Sequence, residues 1–111
     1  METTPGAEAL LRLLGLGVRA GTVVLGVDAV RSALQAGRIE AVVVAADASP
    51  RATDKVVRLA RAKGLPLIPG PAAEAIGARL GRPAIMVAGV LDRALVRGLA
   101  KASPDGAHRE A

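Results

Sequence analysis

Six carboxylates lie in the middle of this chain, Asp28, Glu40, Asp47, Asp54, Glu74 and Asp92, and no two are spaced to share acid–base work. The only histidine, His108, stands close to the C-terminal end. A histidine-based triad or metal cluster therefore has no material to work with. Cysteine is absent, which removes thiolate chemistry, disulfides and zinc knuckles. Asp28, Asp54 and Asp92 fall near expected helix starts, where capping or dipole pairing accounts for them. The chain reads as a protein with no catalytic residues, no metal and no cofactor.

A different chemistry is legible between Arg19 and Arg31. The β-branched run Thr22–Leu25 meets Gly26 and turns at once into the helix-spaced pattern of Val27, Asp28, Ala29 and Val30. A strand–glycine–helix junction leaves the first helical N–H groups without partners, and glycine adds no side chain to hold a ligand away. Such a junction receives phosphate. The basic groups that gain support from it are Arg19, Arg31 and Arg82. The segment Gly15-Leu16-Gly17-Val18-Arg19-Ala20-Gly21 superficially suggests a dinucleotide fingerprint, but that motif needs a strand before it and a helix opening within it. Here the order is reversed, and these glycines are expected to end the first helix and to let it approach the sheet closely.

Charge supports an anionic partner. Between residues 9 and 102 the chain holds 14 basic and 6 acidic side chains, a balance of +8 against +5 for the whole. Charge of this kind attracts phosphate without regard to base sequence. Phe, Tyr and Trp are all absent, so single-strand bases cannot be stacked on aromatic rings. An RNA partner would have to be recognised as a folded shape. The basic stripes Arg93, Arg97, Lys101 and Arg51, Lys55, Arg58, Arg61 read first as solvated helix faces. No uncharged apolar run reaches the ~18 residues of a membrane span. The start, Met1-Glu2-Thr3-Thr4-Pro5, is unlike a signal peptide, so a cytoplasmic location and no membrane partner are expected.

The elements that must position these residues alternate between helix and strand. Leu10, Leu13, Leu14 and Gly17 predict a first helix over 7–19. Strand 22–25 and a helix over 27–36 follow, with Val27, Val30, Ala33 and Leu34 inward and Gly37 as a left-handed terminator. Residues 41–46 are apolar on both faces, the mark of a central strand covered on each side. Ser49-Pro50 starts a helix that runs to Lys63, with Asp54 and Arg58 spaced to pair on its wet side. A brief strand at 67–68, a helix over 71–80, a strand over 84–90 and a last helix over 92–102 complete the order. The expected architecture is α/β, a three-layer α/β/α sandwich with a mixed sheet of about four strands. It comprises a flexible N-terminus at 1–8, one domain at 9–102 and a disordered tail at 103–111.

Four pieces in register carry a family resemblance: Leu14-Gly15-Leu16 before Arg19-Ala20-Gly21, then Ala45-Ala46-Asp47-Ala48-Ser49, then Ile76-Gly77, then Gly81-Arg82. From about Leu11 to Leu99 the chain resembles the kink-turn-binding ribosomal-protein family. That family includes archaeal large-subunit ribosomal proteins, proteins of small nucleolar ribonucleoproteins and a bacterial branch often called YlxQ, which is the most similar. The resemblance implies that the helix after Gly26 meets the RNA groove beside sheared G·A pairs, with Gly26, Val27, Asp28 and Ala29 in contact. It also implies that the loop of Arg82, Pro83, Ala84, Ile85 and Met86 packs against an extruded base. The chain departs from the pattern at three positions: Asp28 and Ala29 stand where the family typically has Asn then Glu, and Ser32 where it has Lys, with Arg31 one position earlier. Ala29 cannot accept from a guanine edge, which forfeits about 1–3 kcal/mol of discrimination, taking DNA readout as the guide.

These readings converge on a non-enzymatic RNA-binding protein, ribosome- or translation-associated. Its partners would be structured RNA, ribosomal or kink-turn-containing, and ribosomal proteins. The alternative is a protein–protein adaptor that has kept the fold but lost specific RNA recognition.

Overall fold

Among residues 5–102, which this computed structural model describes, five helices alternate with four strands. They are α1 (Pro5–Ala20), β1 (Val23–Leu25), α2 (Val27–Gln35), β2 (Ala41–Val44), α3 (Pro50–Ala62), β3 (Leu67–Pro69), α4 (Ala73–Arg79), β4 (Val87–Val90) and α5 (Arg93–Ala102). The sheet order is β1-β4-β2-β3. β4 runs antiparallel to both β1 and β2, and β3 runs parallel to β2, so the sheet is mixed.

Alternation along the strands separates two cores. On one face Val23, Ala41, Val43, Ala88 and Val90 pack with Leu10, Leu11 and Leu14 of α1, Ile76 of α4 and Leu99 of α5. On the other, Val42 and Val87 meet Val30, Ala33 and Leu34 of α2 and Val56 and Ala60 of α3. Ala41, Val42 and Val43 are fully buried, which is why β2 shows no polar residue at either parity. With no aromatic ring available, the core is filled by aliphatic side chains, each worth roughly 1.5–3 kcal/mol when fully buried.

The limits of α1 and β4 differ from the sequence expectation for physical reasons. α1 passes through Gly15 and Gly17 and stops only at Gly21, whose φ of 78° breaks the helix. Gly17 serves the close approach instead: a Cβ there would stand 2.7 Å from Leu95 Cδ2 and would also collide with Val23. α1 begins at Pro5 and buries Ala7, so residues 5–8 are helical; residues 1–4 and the tail from Ser103 lie outside the described residues. β4 begins at Val87, not Ala84, because the Ile85 N–H donates to the Ala73 carbonyl (3.0 Å) and draws that segment off the ladder toward α4.

Candidate nucleic-acid interface

The two parallel strands and β1 point their C-terminal ends the same way, so α2, α3 and α4 all begin at one end of the sheet. Gly26 is fastened there by its N–H, which donates to the Val87 carbonyl (3.0 Å). Its backbone stands at φ 95°, ψ 156°, a conformation that only glycine adopts readily. The first bond of α2 runs from the Val30 N–H to the Gly26 carbonyl (3.0 Å), leaving the N–H groups of Val27, Asp28 and Ala29 without a backbone acceptor. No side chain caps them. Asp28 is exposed and its carboxylate holds no hydrogen bond among the described residues, so it does not serve as the cap.

Each neighbouring helix start is capped in part by the protein itself, through one N–H. Ser49 Oγ accepts from the Ala52 N–H at 3.4 Å, and Pro50 occupies the first position of α3. At α4, Asp47 Oδ1 accepts from the Ala73 N–H at 2.8 Å across 26 residues of chain. Asp47 thus has a role that its place among scattered carboxylates does not reveal. The only sequence signal is the small-residue run Ala45–Ser49 that surrounds it.

The same end gathers the second expected contact. Ala45 donates to the Met86 carbonyl (2.8 Å), Ala46 to Pro71 (3.0 Å) and Gly70 to Val44 (2.8 Å), tying three loops to the sheet end that holds Gly26. Before Met86, the chain is seated on α4 through Gly77. The Arg82 N–H donates to the Gly77 carbonyl (2.8 Å), and a Cβ at Gly77 would lie 2.6 Å from the Pro83 carbonyl carbon. Arg82, Pro83 and Ala84 are exposed and Met86 half-buried. Ile85 turns inward, 9% exposed, into the core beneath α1 and α4; it supports the loop and offers no free apolar surface.

Arg31 lies one turn into α2, exposed and without an acidic partner among the described residues. Arg19 is not brought to this end. It precedes Thr22, whose carbonyl accepts from the Leu91 N–H (2.8 Å) at the opposite end of β1, about 13 Å from Gly26 along an extended chain. Of the basic stripes, Arg58 is held by Asp54, with Nε to Oδ2 at 3.0 Å, and Arg93 by Glu40 at 3.2 Å. The hydrogen bond from Arg58 holds the Asp54 carboxyl below the ordinary aspartate value and raises the Arg58 guanidinium. No group of three acids or histidines that could hold a metal occurs among the described residues, and no described helix is long and apolar enough to cross a membrane.

Fold and site together define a small α/β/α sandwich with one uncapped, anion-receptive helix start among three that share a sheet end. The profile of the Ribosomal protein L7Ae/L30e/S12e/Gadd45 family matches residues 8–96, and the chain belongs to that family. Among solved structures it is similar to a protein of unknown function from Bacillus halodurans C, with 28% identity and a TM-score of 0.76, covering 84% of this chain and 94% of that one. It also has the fold of the Giardia lamblia 15.5kD RNA binding protein, with 22% identity and a TM-score of 0.72, covering 92% of this chain and 88% of the other. No curated protein sequence matches the chain significantly.

Proposed function

We propose that this chain is a non-enzymatic RNA-binding protein that holds folded RNA at the start of α2, on the kink-turn pattern of its family, in the ribosome or translation apparatus. Within the family we place it nearest the YlxQ-like branch, in the cytoplasm, with structured RNA and ribosomal proteins as partners. One observation carries the reading: of the three helices at that end, α2 alone has no side-chain partner on any of its first N–H groups. Gly26, Val27, Asp28 and Ala29 would meet the phosphate backbone. Arg31 and Arg82 would neutralise charge, and Pro83, Ala84 and Met86 would supply the small apolar contact. With Ala29 unable to read a guanine edge, recognition rests on RNA shape more than on base identity.

The test compares a kink-turn RNA with an unkinked duplex across a salt series. The wild type is expected to prefer the kink-turn RNA. Arg31→Glu should erase much of that preference and flatten the salt slope by about 0.9 for each phosphate no longer neutralised. Equal, weak binding of both RNAs, unmoved by the charge reversal, removes the assignment. A second reading, a protein adaptor, is favoured only by the free Asp28 carboxylate beside the open amides, which repels phosphate. Partners recovered from a pull-down after ribonuclease treatment, with no RNA retained, would select it.

A further inference from the structure

A group of basic residues without ion pairs lies away from α2's start, at the opposite end of the sheet. The C-terminal ends of α1, α2 and α3 lie at that end, beside Thr22, Leu91, Glu40 and Leu65, which the ladder aligns across the four strands. Four basic residues belong to this end: Arg19 in the last turn of α1, Arg38 just after α2, and Arg61 and Lys63 at the close of α3. All four are exposed, and none has an acidic partner among the described residues. Of the acids nearby, one is paired with an arginine and the other accepts from its own helix start. Glu40 is held by Arg93, and Asp92 accepts from the Ala94 N–H.

Basic residues at helix C-termini have an ordinary explanation, the capping of free carbonyls. Here that work is done by backbone. Gly17 and Val18 carbonyls accept from Thr22 and Gly21, Ala33 and Leu34 from Arg38 and Gly37, and Leu59, Ala60 and Arg61 from Lys63, Leu65 and Gly64. The four side chains are left without an anion to bind among the described residues. The strand ends beside them span about 14 Å across the sheet, at roughly 4.8 Å per strand, with α1 on one face and α2 and α3 on the other. The 13 residues of α3 separate this end from the Gly26 end by about 20 Å.

We propose that this end is a second RNA surface, which grips the phosphate backbone of a double helix without regard to sequence, so that one molecule can hold two RNA segments at once. A duplex is the fitting form because the chain has no aromatic ring on which to stack unpaired bases. The surface does not depend on how the start of α2 is used.

The test uses the full chain and an unkinked RNA duplex, titrated over a salt series. Arg19→Glu, Arg38→Glu, Arg61→Glu and Lys63→Glu combined should weaken duplex binding about tenfold or more and lower the salt slope by about 2 or more, at about 0.9 per phosphate. Arg38→Ala with Lys63→Ala, both beyond the helix ends, should lower the slope by up to about 2 with thermal unfolding unchanged. A kink-turn RNA fixed to a surface should recruit protein and then labelled duplex with the wild type, but no duplex with the fourfold variant. The ratio of kink-turn to duplex affinity tracks the α2 site, while the shared salt-dependent affinity tracks this one, so either can fail alone. Unchanged duplex binding by both variants overturns the proposal. So does binding of poly-glutamate as tightly as of duplex, which would make an acidic protein the partner.

Discussion

α2 and α4 begin at the same end of one sheet, yet they treat their first N–H groups in opposite ways. α4 borrows a carboxylate from a distant loop, Asp47 on the Ala73 N–H at 2.8 Å. α2 begins with a glycine that cannot supply one, in a backbone conformation that keeps other residues out. Both solutions belong to the same physics of exposed amides and helix dipole. The protein's own anion makes one start a structural joint, and its absence leaves the other open, as the proposed RNA site requires.

Three substitutions break or sharpen that contrast. Gly26→Asp has the largest expected effect, since it gives α2 the anion that α4 already has. Backbone strain at φ 95° should cost about 1–3 kcal/mol in urea denaturation, and affinity for a kink-turn RNA should fall more than for the matched Gly26→Ala, which carries the strain without the charge. Asp47→Ala comes next. It strips α4's start and should cost about 1 kcal/mol of stability, with only a modest loss of RNA affinity through the loosened 82–86 loop. Asp28→Asn is the smallest. It removes a favourable charge from the helix start, about 0.3–1 kcal/mol, while strengthening RNA binding. Opposite signs in stability and affinity would mark the start of α2 as a phosphate site, and equal signs would mark it as a structural one.

The position of Gly26 is legible in the sequence because it rests on local grammar. A β-branched run, one glycine and a helical repeat allow few backbone paths. Gly37 is readable for the same reason: it closes α2 at φ 73°, with its N–H on Leu34. Asp47 is not, since its partner lies 26 residues away and the capped helix starts with alanine. Ile85 misleads because a hydrophobic residue next to a loop looks the same whether it faces a ligand or the core. Sequence groups Arg19 with Gly26 because seven residues are close along the chain, whereas a strand carries its two ends apart.

The order of elements, the aliphatic core, the double-sided burial of β2 and the junction at Gly26 were determined by sequence alone, since each depends on periodicities and turn preferences set by neighbours within a few residues. Only the tertiary structure decided which loops meet Gly26, which helix starts are already capped in part, and that basic residues without ion pairs collect at the far end. Those outcomes depend on strand order and register, and pairing between distant segments leaves no local trace in the chain.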